Sequence, residues 1–292
     1  MVTTVKSRGY RVFQGINAVI LTGVVIVTLY PFVNIIARSF SDERYIVSGQ
    51  VNFFPRGFNV KTYQLVISDP MFWTNYRNTV VYTVVATAIA MVLTTCYAYV
   101  LSKKHLKGRT VLIWVAIFTM IFSGGLIPQY VLVNSLGLTN SIWAIVLPNA
   151  ISVFNLLVMK AFFEGLPQDL EEAAAIDGLN TYGILWRIVL PLSKAVIATM
   201  VLFYAVSFWN SWFTAFLYLN EQELFPVTIY LRNLIAGATG AESAGAVMSE
   251  VSAAAANIQA VTIMLTVLPI LAVYPFVQRY FVSGVMLGAV KG

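Results

Sequence analysis

The run LPQDLEEAAAIDGLNTYGILWRIVLP, residues 166–191, stands between two long apolar stretches, and the fold has to accommodate it. Local rules divide it into two short helices. Pro167 suits a first turn, and Asp169, Glu171 and Glu172 favour the positive end of a helix. The alanines at 173–175 propagate that helix, and Gly178 takes the left-handed stop that a residue with a Cβ disfavours. Asn180 or Thr181 can cap the second helix, and Pro191 interrupts it. Each helix has about ten residues, roughly 15 Å, too short to cross a bilayer.

Outward from this hairpin, six stretches lack Asp, Glu, Lys, Arg and His and are long enough to span. They run near 13–37, 78–101, 111–136, 142–159, 195–219 and 257–278, the fourth being the shortest. A spanning helix needs about 20 residues, and backbone groups in lipid must pair internally, so these are expected as helices. Composition agrees: the 292 residues are 59% hydrophobic and 10% charged. A soluble domain has about 45–50% and about 25% respectively. The expected architecture is all-α and polytopic. A cytoplasmic N-terminus, 1–12, precedes one transmembrane domain, 13–292, with a cytoplasmic hairpin.

Net charge is +6, and the position of the charges matters more than their total. With the N-terminus inside, the inner segments hold twelve Lys and Arg: Lys6, Arg8, Arg11, Lys103, Lys104, Lys107, Arg109, Lys160, Arg187, Lys194, Arg279 and Lys291. The outer segments hold six: Arg38, Arg44, Arg56, Lys61, Arg77 and Arg232. The positive-inside rule therefore puts both termini in the cytoplasm. Charge used in this way does not point to nucleic acid. Two short helices could also make a DNA-reading helix-turn-helix, but an acidic first helix at a membrane face argues against it. Cys96 is alone and allows no internal disulfide; His105, also alone, cannot build a zinc site. The first apolar stretch is long and lacks a small-residue cleavage pattern, so it reads as a spanning helix and not a removed signal.

Three connections exceed an ordinary turn. Residues 38–77 are aromatic and of mixed charge, suited to lie on the outer interface. Residues 160–194 carry the hairpin. Residues 218–256 are external, and their part 236–256, rich in small residues, cannot bury a core and reads as mobile when unliganded.

No spanning segment, as drawn, contains an ionisable side chain, which argues against proton coupling and against intramembrane acid–base or metal chemistry. A membrane enzyme would need clustered polar catalytic groups, and the sequence offers no such constellation. Sodium coupling through backbone carbonyls of discontinuous helices stays open as an alternative. No nucleotide-binding loop is present. Energy input is expected from a partner.

The combination Glu172-Ala173-Ala174, Asp177-Gly178, nine residues, Ile188 and Leu190-Pro191 resembles the EAA loop of ABC importer permeases, particularly the carbohydrate group typified by the maltose importer. Further agreement lies at Gly124-Gly125-Leu126-Ile127-Pro128, Leu136-Gly137-Leu138, Phe208-Trp209-Asn210 and the tail from Gly284 to Gly292. Ala195 stands where many members have proline. The resemblance implies a type I ABC importer permease fold. Its paired short helices dock into a cleft on an ATPase subunit and transmit closure of the ATPase dimer to the spanning helices. Glu172 would pair with a basic ATPase group, Ala173 and Ala174 would permit close packing, and Gly178 would set the bend. Residues 290–292 would reach the ATPase interface and 236–256 would enter a solute-binding protein.

The same resemblance implies the partners: a second homologous permease, a dimer of ATP-binding subunits, a periplasmic or extracellular solute-binding protein, a carbohydrate substrate and the bilayer. No cofactor is expected in this chain; ATP and Mg belong to the partner ATPase subunits. Within the group the likeness is to permeases for larger or acidic oligosaccharides, such as aldouronate or alginate fragments. An uncharged path suits sugars, whose C–H faces stack on aromatic rings while amides meet hydroxyls. Asn149, Asn155, Trp209, Asn210 and Trp212 are the candidates. Each also has a helix-packing reading, and in the family the second permease can hold most or all of the substrate contacts.

Overall fold

The computed structural model describes residues 8–243, 256–272 and 275, which are helix, turn and loop with no strand among them. The chain falls into two compact units, Met1–Asp69 with Leu231–Val267, and Pro70–Tyr230 with Leu268–Gly292. Expectations for the tail at 284–292, for Lys6 and for the end of the last stretch beyond 275 lie outside the described residues.

In the first unit α1, Arg8–Ser39, is mainly apolar from Val12 onward, with Arg8 and Arg11 at its start and Arg38 in its last turn. None of its most apolar window is buried within the chain. Residues 38–77, expected to lie on the outer interface, carry α2, Glu43–Val47, and α3, Lys61–Ser68, and from Pro70 they enter the next long helix. Asp42 caps α2 by accepting from the Arg44 amide at 3.1 Å. The Phe40 ring stacks on Phe58 and Tyr63, and the Tyr63 hydroxyl donates to Ser39 Oγ at 3.0 Å. Asn257 donates to the carbonyls of Arg38 and Ser41 at 3.0 and 3.1 Å, which closes the small core of Ala37, Ile46 and Val51.

The second unit is built around α4, Pro70–Ser102, an unbroken helix of 33 residues. It starts eight residues before the expected span, with Pro70 in the first position where a missing amide costs nothing, so it takes in Arg77. One stripe faces inward at helical spacing: Asn75, Thr79, Tyr82, Ala86, Ala90, Thr94, Ala98 and Leu101. Its alanines let other helices approach closely. Against α4 pack α5, Arg109–Ile121, then α7, Trp143–Val146, α8, Val153–Glu164, and α12, Lys194–Trp209. The remaining elements are α6, Leu126–Ser135; α9, Gln168–Ile176; α10, Thr181–Ile184; α11, Leu190–Leu192; α13, Trp212–Tyr218; α14, Val227–Ser243; and α15, Ala256–Ala272.

Two helices, Val12–Ser39 and Pro70–Ser102, are unbroken and long and apolar enough to span. The third, fourth and fifth stretches are not the single rods expected. The third breaks between α5 and α6 with a 112° turn, where Gly125 sits at φ +87°. Hydropathy runs through Gly124-Gly125 without registering that the backbone turns there. The fourth bends by 53° between Trp143–Asn149 and Val153–Glu164. Ser152 caps α8, and its amide donates to the Tyr204 hydroxyl at 2.9 Å. That hydroxyl also shares a hydrogen bond of 2.6 Å with Thr94 of α4. The fifth ends at Trp209 and resumes as α13. Within 236–256, α14 continues as far as Ser243; residues 244–255 lie outside the described ones.

Candidate functional site

The hairpin forms from local chemistry almost as the sequence dictates. Pro167 is the residue before α9, not its first turn. After Ile176 the chain closes a Schellman motif: the Gly178 amide donates to Ala175 O at 3.1 Å and the Leu179 amide to Ala174 O at 3.0 Å. Gly178 sits at φ +85° with open space where a Cβ would be, so backbone conformation and not crowding demands glycine. Of the two caps the sequence allowed, Asn180 is used; its Oδ1 accepts from the Gly183 amide at 2.8 Å. The second helix runs from Thr181 to Leu192 through a π turn at Leu185–Val189, where the Leu190 amide reaches Leu185 O. That shift of register comes one residue before Pro191, which has no amide to give. Pro191 therefore stays inside the helix; the break comes at Ser193, with an 86° turn into α12.

Ala174, Ile184, Leu185 and Val189 face inward and pack with Tyr99, Leu101, Leu156, Met159 and Phe163. Ile188 and Leu190 lie half-buried at the edge of that cluster. The other face points away. Ile176 is 86% exposed, Tyr182 77% and Trp186 69%, and Glu172, Ala173, Asp177 and Pro191 are also exposed. The two alanines of the motif thus have opposite surroundings, one inside this chain and one on its surface.

One ionic clasp holds the hairpin and a second holds the end of α8 that leads into it, and sequence reasoning missed both. Glu171, not Glu172, pairs with Lys103 and accepts from the Tyr99 hydroxyl, while Lys103 Nζ lies 4.1 Å from the Tyr99 ring centre. Glu164 pairs with Arg109 and, at 2.9 Å, with Lys160; Arg109 Nε also donates to Leu101 O at 2.7 Å. The signal for both clasps in the sequence is that the first acidic residues after the basic cluster at 103–109 are Glu164, Asp169 and Glu171, all in the connection at 160–194. Among the described residues Glu172 has no ion pair. It lines a polar cavity of about 240 Å³ with Lys103, Lys104, His105, Gln168 and Glu171.

The five expected path residues do not converge. Asn149 and Asn155 line one cavity of about 650 Å³ with Ser152, Phe154, Tyr204 and Ser207. Trp209 lines an adjoining apolar cleft of about 180 Å³, which shares Leu202, Val206 and Ile270 with that cavity, and meets Tyr76 edge-on at 5.9 Å. Asn210 is turned back to the Val206 carbonyl at 2.8 Å, as the cap of α12. Trp212 packs beside Phe213 and Phe216. Trp209 and Asn210 are adjacent in sequence, but the end of α12 divides their surroundings.

At the opposite end of α4 a second set of polar side chains holds a loop. Asn78 Nδ2 donates to the carbonyls of Glu223 and Phe225 at 2.6 and 3.3 Å. The Tyr82 hydroxyl donates to Leu224 O at 2.9 Å, and Thr79 Oγ1 accepts from the Val227 amide at 2.7 Å. With its amide oriented to suit its neighbours, Asn75 donates to Phe225 O and Gln222 O. Spacing at 75, 78, 79 and 82 makes this a polar stripe on one helix face, a pattern the sequence contains but hydropathy averages away.

Residues 108–287 match the family described as binding-protein-dependent transport system inner membrane component, and the chain belongs to that family. Protein LplC of Bacillus subtilis is 43% identical over 98% of this chain and 97% of its own length. The polygalacturonan/rhamnogalacturonan transport system permease protein YtcP of the same organism is 41% identical over 91% of this chain and 94% of its own. A crystal structure of a bacterial ABC transporter involved in the import of the acidic polysaccharide alginate contains a chain that superposes with a TM-score of 0.83. It is 33% identical, covering 96% of this chain and all of that one. The protein is the membrane-spanning permease of an ABC importer, and ATP hydrolysis is the work of separate ATPase subunits. The sodium-coupled alternative finds no support in these likenesses.

Proposed function

We propose that this permease carries a carbohydrate, an oligosaccharide of the uronate-rich kind, and that its 166–191 hairpin is the lever on which the ATPase subunits act. The observation that carries the substrate is the 33% identity to the alginate-importing chain across nearly the whole length, together with the polygalacturonan-transporting relative. Six spans with both termini in the cytoplasm place the hairpin and residues 103–109 on the ATPase side and the loop before α14 on the solute-binding side. ATP binding favours an outward-facing packing, and hydrolysis with product release restores the inward-facing one.

The exposed row Ile176, Tyr182 and Trp186, beside Glu172, Ala173 and Asp177, supports the lever reading. An apolar patch rimmed by charge is the form a protein-docking surface takes. Gly178 sets its bend; Ala174, Ile188 and Leu190 seat it on the rest of the chain, and Pro191 lies inside its second helix just before the turn into α12 at Ser193. Asn149 and Asn155 offer amides to sugar hydroxyls, and among the described residues lining their cavity there is no Lys, Arg, His, Asp or Glu, so the cations for a uronate come from partner subunits. Trp209, Asn210 and Trp212 serve packing and capping in this reading.

The test is co-purification through a tag on this chain. A related permease, two ATPase copies and a solute-capture protein are expected, and the ligand of that capture protein identifies the cargo. Recovery of a capture protein that binds no acidic oligosaccharide overturns the substrate; failure to recover an ATPase overturns the lever.

A further inference from the structure

We infer that α4 is a strut joining the hairpin to the segment that opens α14, with Asn78 and Tyr82 at one end and Lys103 and Glu171 at the other as positioning residues for transport. The inference rests on the lever reading above.

Its first support is continuity. Within the second unit every other stretch of spanning length is interrupted, by turns of 112°, 53° and 86°, whereas α4 runs for 33 residues, roughly 50 Å, without a break. Breaks of that kind are where hinge motion is absorbed, and an unbroken helix is an element that moves as a whole. The second support is that both ends are fastened to loops and not merely packed beside them. Near its C-terminal end Tyr99, and Lys103 just beyond it, hold Glu171 on the first hairpin helix. Near its N-terminal end Asn78 and Tyr82 hold three consecutive backbone carbonyls, those of Glu223, Leu224 and Phe225. Thr79 receives the first amide of α14.

Side chains bonded to backbone transmit displacement more directly than side chains bonded to one another, because the loop has no rotamer with which to slip free. The third support lies between the clasps. Ala86, Ala90 and Ala98 are fully buried, so α8 and α12, the helices that begin at the bends, ride closely on this rod. Displacement of Glu171 by an ATPase subunit would then reach 222–227 through one rigid body, and a loaded solute-binding protein pressing on that side would be felt at the hairpin by the same route.

The test uses the complete transporter, with its partner permease, ATPase subunits and solute-binding protein, reconstituted in lipid. Three quantities are read: basal ATP hydrolysis, its stimulation by the loaded binding protein, and crosslinking of an Ala173→Cys hairpin to the ATPase. In Asn78→Leu the basal rate and the crosslink should persist while stimulation falls by about fivefold or more, the lower end of ordinary site-to-site coupling. Tyr82→Phe deletes one hydrogen bond and keeps the ring packed, so it decides the matter if Asn78→Leu does not assemble; a fall of about threefold is expected. Lys103→Glu and Glu171→Lys should each lower stimulation, and the two together should restore it. Full stimulation in Tyr82→Phe and Asn78→Leu, or a double exchange no better than either single one, overturns the strut and leaves the lever standing. Absence of the Ala173→Cys crosslink in the otherwise unaltered complex removes the lever, and the strut with it.

Discussion

At the Lys103 end of α4 the neighbouring segment is held by charge, with side chain bound to side chain; at the Asn78 end it is held by neutral donors reaching backbone carbonyls. The ionic end keeps each carboxylate about a fifth exposed, with side-chain accessibilities of 22% for Glu171 and 23% for Glu164. Pairs of that exposure contribute at most about 1 kcal/mol each and weaken with salt. The neutral end is buried deeper, with Asn75 and Thr79 both 1% exposed, and it donates to the backbone carbonyls of a loop. One end can be released and re-formed at little cost, which suits a surface that must meet and follow a separate ATPase. The other fixes a loop by its backbone, through several donors on one helix face.

The largest effect that could break this comparison is at the hairpin's outward face. Glu172→Lys or Gly178→Asp should leave membrane insertion intact but cut uptake by at least about tenfold, the weight of one hot-spot contact, while ATP hydrolysis continues. Normal uptake by both variants would remove the lever. Next comes the division between the two alanines. Ala174→Leu overfills a buried site and should cost about 1–3 kcal/mol in thermal unfolding of the purified complex. Ala173→Leu should unfold like the parent and lose ATPase contact instead. Equal destabilisation by the two would mean that the hairpin is seated differently.

The neutral clasp follows. Asn78→Leu takes the side-chain donor from the Glu223 carbonyl, Phe225 O keeping Asn75, and should cost about 1–2 kcal/mol, a loss indifferent to added salt. The smallest effect belongs to the ionic clasp, where Glu171→Gln should cost under about 1 kcal/mol, and high salt should shrink the difference from the parent protein. A salt-insensitive Glu171→Gln, or a salt-sensitive Asn78→Leu, would erase the contrast between the two ends.

Legibility in the sequence followed the range of the interaction. The Schellman turn at Gly178 and Leu179 and the cap at Asn180 are made by residues within five positions of one another, so their types alone announced them. The motif Glu172-Ala173-Ala174 was equally plain, and with it the family. Breaks at 122–125 and at Ser193 were harder. A hydropathy window sees side chains and not dihedral angles, and at Ser193 it was Pro191, absorbed by a π turn, that drew attention two residues too early.

What the amino-acid sequence determined by itself is therefore the all-helical membrane character, the local shape of the hairpin and the family, because apolar runs, caps and turns depend on near neighbours and on the solvent around the chain. Only the tertiary structure decided which glutamate is clasped and which is free to meet a partner, that Asn149 and Asn155 line a cavity that Trp209 and Asn210 do not, and that α4 is fastened at both ends. Those choices join residues about 70 to 150 positions apart, such as Lys103 with Glu171 and Asn78 with Glu223. Nothing in residue type distinguishes Glu171 from Glu172 until the helix phase and a basic neighbour from another segment are both in place.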